Sequence, residues 1–149
     1  MTCTIVTESF EPFERVVSFQ KGSRFKKGQI GASAVFVGTM RDFNEGLEVE
    51  SMFLEHYPEM AENVLNEIRK EAIKRWRLEE VLIIHRVGRI YPGEAIVLVA
   101  SWSSHRAHAF ESCRHIMEIL KSRAPFWKKE HSKSGERWVS KNTAGETGL

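Results

Sequence analysis

The chain has 149 residues, of which 42% are hydrophobic and 28% charged, with a formal net charge of +2. That balance predicts a single folded domain over residues 1–140, followed by a flexible tail at 141–149, and excludes a largely disordered chain. The longest apolar run, Ala95 to Ala100, is far too short to cross a membrane. The two distant cysteines, Cys3 and Cys113, predict no disulfide framework. The opening MTCTIVTESFEPFE lacks the basic-then-apolar pattern of a secretion signal, so a reducing cytoplasm is the expected compartment. Charge is unevenly spread: residues 101–149 hold 9 Lys/Arg against 5 Asp/Glu. So small an excess argues against general nucleic-acid binding and suits a local pocket for a small anion.

Residues 3–7 read as a short strand, and Pro12 is well placed to open a helix to Gln20. Lys21-Gly22-Ser23 ends it, and Arg24 to Lys27 forms a basic loop. IGASAVFVGTM (30–40) predicts a buried strand, RDFNEG (41–46) a loop with Asn44 and Gly46 as turn formers, and VESMFLEHY (49–57) another strand. From Pro58 onward, Met60, Val64, Leu65, Ile68, Ala72, Ile73 and Trp76 recur at steps of three and four, which predicts an amphipathic helix. VLIIHRVG (81–88) and AIVLVASW (95–102) are strands around a Tyr91-Pro92-Gly93 turn. A helix from about His105 to Lys121 buries Ala109, Phe110, Cys113, Ile116, Met117 and Leu120, and Pro125 stops it. FWKKEH and ERWVS flank Ser132-Lys133-Ser134-Gly135 as a hairpin. Strands paired by turns between single helices predict an α+β fold, mostly antiparallel, with two main helices and a short N-terminal one.

Three places suggest chemistry. In SSHRAHAF (103–110), Ser103 or Ser104 is a suitable N-cap, yet His105 and Arg106 put cations where the helix dipole favours anions, an arrangement that an anionic ligand would reverse. Arg41 follows a strand directly, a common position for a binding residue, although a lone loop arginine is often surface decoration. In ILKSRAPFWKKEH (119–131), Lys121 and Lys128 flank a proline turn that lets the two ammonium groups share one space. Within about 6 Å, their repulsion would lower a lysine pKa and tune it for base or nucleophile chemistry. Two solvated lysines beside a packed Trp127 is the plainer alternative. His105, His108, Glu111 and His115 share a helix, but no diagnostic metal-binding order is present, so no metal is expected. His56 and His85 read as ordinary strand-end residues.

VFVGTMRDFNEG (35–46), LEHYPEM (54–60), IIHRVGRIYPGE (83–94), SSHRAHAF (103–110), LKSRAPFWKKE (120–130) and GERWV (135–139), in that order, closely resemble the large, catalytic subunit of molybdopterin synthase. The resemblance covers roughly residues 3–140. It implies an α/β hammerhead-type α+β fold and a homodimeric core of a heterotetramer, with a small ubiquitin-like partner ending in Gly-Gly at each end. That partner carries sulfur as a C-terminal thiocarboxylate. The sulfur passes to cyclic pyranopterin monophosphate to build the dithiolene of molybdopterin, with no metal or organic cofactor for this step.

By the same resemblance, Lys121 is the catalytic residue beside the partner's terminal glycine, and Lys128 serves substrate binding and proton transfer. Arg41, His105 and Arg106 bind the anionic substrate, while Phe36, Met117, Arg123 and Glu130 are supporting pocket positions. Beyond the R-W-V block the family often places an arginine that reaches the neighbouring subunit's site. Here the chain reads Ser140-Lys141-Asn142, and Lys141 lacks the arginine fork. Two other classes fit parts of the pattern: a single-stranded nucleic-acid module stacking bases on Phe126 and Trp127, and a non-catalytic adaptor for a ubiquitin-like protein.

Overall fold

The computed structural model describes residues 2–22, 24–44, 46–123 and 125–139, with only the backbone of Leu47. The tail 141–149, including Lys141, lies outside the described residues. The elements in chain order are β1 (Cys3–Val6), α1 (Pro12–Gln20), a 3-10 turn (Lys27–Gln29), β2 (Ala32–Thr39), β3 (Phe43–Asn44), β4 (Leu47–Glu48) and β5 (Ser51–His56). Then follow α2 (Pro58–Trp76), β6 (Glu80–Arg86), β7 (Gly88–Ile90), β8 (Ala95–Ser103), α3 (Arg106–Arg123), β9 (Phe126–Ser132) and β10 (Gly135–Val139).

The strands form two four-stranded sheets, ordered β1-β6-β8-β2 and β10-β9-β5-β7, plus the small β3-β4 hairpin. Among the described residues only the β1–β6 pair is parallel. This is the α+β architecture expected.

The first sheet is covered on both faces, and its sequence reflects that. Along β6 and β8, alternate residues Val81, Ile83, Val97 and Val99 pack under α2 and α3. Their neighbours Leu82, Ile84, Leu98, Ala100 and Trp102 pack against Val16 and Phe19 of α1 and against Phe25. Strands wet on neither face read as unbroken apolar runs, as these two do. Burial of Leu65, Ile68 and Ile116, all 2% exposed or less, supplies the hydrophobic stabilisation on the helix side. A third, smaller core of Met40, Val49, Met52, Leu54 and Ile90 lies on the inner face of the second sheet.

Several expectations need correction. β2 is an edge strand, not a buried one, and leaves Val35 and Phe36 each 39% exposed. The 41–46 loop runs into a short hairpin, β3–β4, with Gly46 at φ +79° in its turn. Met60 and Phe110 are 53% and 69% exposed, because each lies one position off the buried stripe of its helix. α3 begins one residue later than a Ser104 cap would give. Ser103 is still strand, and its Oγ accepts the His105 N–H at 3.2 Å.

The start of α3 is pinned to the start of β2. Gly31 N–H donates to the Ser103 carbonyl at 2.9 Å, and Ser104 Oγ donates to the Gln29 carbonyl at 3.1 Å. A Cβ at Gly31 would overlap the Ser104 carbonyl oxygen, which is backbone and cannot swing aside. Gly31→Ala is therefore expected to destabilise the fold by roughly 1–3 kcal/mol, read as a lower urea midpoint at unchanged slope.

Candidate active site

A cavity of about 760 Å³ opens at the seam between the two sheets. The end of β2 and the following loop (Phe36 to Arg41, with Phe43 and Asn44) form one wall, and Met117, Leu120 and Lys121 of α3 form a second. The inner face of the second sheet closes it with Met52, Leu54, Phe126, Lys128 and Glu130. Strand alternation explains the last group. Phe126, Lys128 and Glu130 share one face of β9, while Trp127, Lys129 and His131 point the other way.

The proline turn does bring Lys121 and Lys128 to one cavity, together with Arg41. The Lys128 ammonium is held below the ordinary lysine range, chiefly by burial. The Glu130 carboxylate opposes that shift, and Lys121 and Arg41 add smaller downward pushes. The expectation that lysine–lysine repulsion leads is thus corrected: desolvation comes first. Arg41 also stands 5.1 Å from the Phe43 ring centre, which orients it along the loop.

Glu130 is only 5% exposed and is fully engaged. Asn44 Nδ2 donates to its Oε2 at 2.7 Å, and Arg137 donates Nε and Nη2 to its Oε1 at 3.1 and 2.9 Å. Arg137 Nη2 also reaches the Asn44 carbonyl at 3.5 Å. One carboxylate therefore ties the Arg41 loop to the β9–β10 hairpin. The sequence marked Asn44 only as a turn former and passed over Arg137; nothing in their spacing signalled this cross-link.

His85, an ordinary strand-end residue by its sequence context, lines the cavity. Its ring stacks on Phe126 at 4.1 Å, and its Nδ1 lies 2.8 Å from the Arg86 carbonyl oxygen. Burial pushes its pKa down from 6.5 to about 4, so the ring is neutral at pH 7.

Other expected residues sit elsewhere. Arg123 does not line the cavity; it pairs with Glu71 at 2.8 Å and Glu67 at 3.3 Å, clamping α3 to α2 on the surface. His105 and Arg106 are exposed at the far end of α3. Fifteen residues at 1.5 Å each separate Arg106 from Lys121 by about 22 Å along the helix axis. One copy cannot bring them together. His105 and His108 lie edge to face at 6.4 Å, while His115 packs on Trp76 at 5.1 Å. Among the described residues, no three His, Cys, Asp or Glu side chains gather as a metal site.

Comparison with known proteins agrees with this architecture. The family described as MoaE protein matches residues 8–123. The molybdopterin synthase catalytic subunit of Pseudomonas aeruginosa is 56% identical over 110 residues, covering 74% of this chain and 73% of that protein. Its counterpart from Haemophilus influenzae is 44% identical over 149 residues, covering 100% and 98%. A solved structure of a molybdopterin biosynthesis MoaE protein from Burkholderia ambifaria superposes with a TM-score of 0.77 at 45% identity, covering 96% of this chain and 92% of that one.

Two outcomes follow from the geometry. Glu130→Ala should remove the shared acceptor of Asn44 and Arg137 and cost roughly 1–3 kcal/mol, measured by urea unfolding. Unfolded His85 takes up a proton near pH 6.5 whereas folded His85 does so only near pH 4. Stability should therefore fall as pH drops through that window, and His85→Phe should make the decline shallower in an acid-titration series.

Proposed function

The chain belongs to the MoaE family, whose members include molybdopterin synthase catalytic subunits, and is itself such a sulfur-transferring enzyme of molybdenum cofactor biosynthesis. From that premise we propose that the seam cavity is the place where sulfur passes from a carrier thiocarboxylate to cyclic pyranopterin monophosphate. The observation that carries this assignment is the convergence of Arg41, Lys121 and Lys128 on one partly apolar cavity.

The chemistry follows from that convergence. The substrate brings a phosphate and the carrier tail a thiocarboxylate, so charge is negative before reaction and moves during it. Fixed cations in a poorly hydrated site stabilise such charge more than water would. Arg41 can hold phosphate oxygens in bidentate fashion. Lys121, in the last turn of α3, faces the Gly-Gly tail. Lys128, with its lowered pKa, surrenders and regains a proton more readily than an ordinary lysine. Phe36 and Met117 supply apolar wall, and Glu130 holds the loop and limits how far the Lys128 pKa falls.

His105 and Arg106 enter the same proposal from a second copy in the homodimer, since their own Lys121 is a helix length away. The carrier is the small ubiquitin-like subunit ending in Gly-Gly, and the reaction is cytoplasmic. Among the described residues no helix is long and apolar enough to cross a membrane. Cys3 and Cys113 are both free and buried.

Dithiolene formation from thiocarboxylated carrier and cyclic pyranopterin monophosphate tests these roles. Lys121→Ala should lose roughly a hundredfold or more in rate, the usual cost of removing a group that stabilises developing charge. Full activity in that variant overturns the catalytic assignment. Arg41→Ala should raise the substrate KM by about tenfold or more, the cost of a lost charged hydrogen bond. Mixing Lys121→Ala with Arg106→Ala chains should restore activity that neither has alone, because one site of the mixed dimer is then intact. Failure to complement would place Arg106 outside the site. Finally, Glu130→Gln should move the lysine limb of the pH–rate profile to lower pH, since the carboxylate raises the Lys128 pKa.

A further inference from the structure

Every fixed charge assigned to substrate in the cavity is a cation, and cations only donate hydrogen bonds. A pterin ring is different from its phosphate: its lactam and amino groups present N–H donors along one edge, and these need acceptors. The buried Glu130 carboxylate is already taken by Asn44 and Arg137. The side chains of the cavity's apolar part, Met52, Leu54, Ile96, Val97 and Leu120, offer none. His85 stands among those residues.

The orientation of the His85 ring is fixed twice. Phe126 covers one face at 4.1 Å with the planes 24° apart. The Arg86 carbonyl oxygen, which can only accept, lies 2.8 Å from Nδ1 and so requires the hydrogen there. In a neutral ring the other nitrogen, Nε2, then carries the lone pair. Among the described residues Nε2 has no hydrogen-bond partner, nor is it one of the buried nitrogens closed off from open space, as His131 Nδ1 is. The chain has thus set an acceptor, held in one tautomer by its own backbone, on the wall of a cavity otherwise rich in donors.

We propose that His85 is a specificity residue of the seam cavity, its Nε2 accepting a hydrogen bond from the N–H edge of the pterin ring. This rests on the cavity being the substrate site. Burial serves the role, because a ring that stays neutral near pH 7 remains an acceptor and adds no further cation beside Lys128. The assignment divides recognition in two: Arg41 and the lysines hold the anion, while His85 reads the ring.

Two substitutions separate recognition from packing. In His85→Asn the side-chain amide keeps a donor near Nδ1 for the Arg86 carbonyl but removes the acceptor. In His85→Gln the longer amide places a carbonyl oxygen near the lost Nε2. Equilibrium binding of cyclic pyranopterin monophosphate and of inorganic phosphate, together with thermal unfolding, is measured on wild type and both variants. His85→Asn should bind the pterin substrate about tenfold or more weakly, the cost of leaving a ring donor unpaired. It should bind inorganic phosphate as wild type does, and His85→Gln should recover much of the lost affinity. Wild-type pterin affinity in His85→Asn, or an equal loss toward both probes, overturns the inference while leaving the site assignment standing. Failure of wild type itself to bind the pterin substrate overturns both.

Discussion

Removing a carboxylate from water costs several kcal/mol unless hydrogen bonds and an opposite charge replace the lost hydration. Glu130 is nearly fully buried, and the chain meets that cost with three donors drawn from two separate places. Asn44 comes from the loop after β2, and Arg137 from the final strand. Because the carboxylate cannot relax toward solvent, those two segments are held together, and with them the wall of the cavity that carries Arg41. The same side chain sits two residues from Lys128 on one strand face, so the group that fastens the loop also sets the local field of the lysine. Fold and site are therefore coupled through one buried charge.

That coupling limits how low the Lys128 pKa can go. Burial disfavours the ammonium, and the cations across the cavity add to that, while the Glu130 carboxylate works against them. A lysine with burial only would tend to lose its charge and its hold on an anion. A lysine with a close carboxylate only would hold its proton too firmly to exchange it. The balance suits the proposed role of the site, which is to bind anions and move protons at once. An arriving phosphate or thiocarboxylate adds negative charge and pushes the lysine back toward its protonated form, so binding and protonation reinforce each other.

The helices and most strands were legible because their apolar spacing is dense: α2 buries Ala61, Leu65, Ile68, Ala72 and Trp76 at steps of three and four. What the spacing could not resolve was the edge of a stripe. Met60 and Phe110 are apolar and one position off, and only the packed partner decides that they stay outside. The exposure of β2 was illegible for a related reason, since a strand's own residues do not say whether another strand lies beside it. Of the site, Arg41, Lys121 and Lys128 stood out because cations gathered beside aromatics need an explanation. Asn44 and Arg137 did not, lying 93 residues apart with ordinary local contexts. His85 was hidden by its strand: where both faces are buried, alternation vanishes, and a polar residue facing a cavity looks like one at a strand end.

Helix α3 sets the geometry of what remains. Its first turn is fixed to β8 by Ser101 Oγ donating to the Ala109 carbonyl at 2.9 Å, and its last turn lines the cavity with Met117, Leu120 and Lys121. A straight helix of this length cannot fold both ends onto one ligand, so cations at its two ends serve different places on the same copy. Repulsion among Arg41, Lys121 and Lys128 already makes their cavity crowded with positive charge. Placing Arg106 and its neighbour His105 outside it keeps the uncomplexed chain from adding a fourth fixed cation to that point. A second copy bringing its own helix start would add Arg106 only on assembly, when the anion it neutralises is also at hand. The separation along α3 thus gives the proposal of a site shared between subunits its physical reason, with the pinning of Gly31 to Ser103 setting where the distant pair is presented.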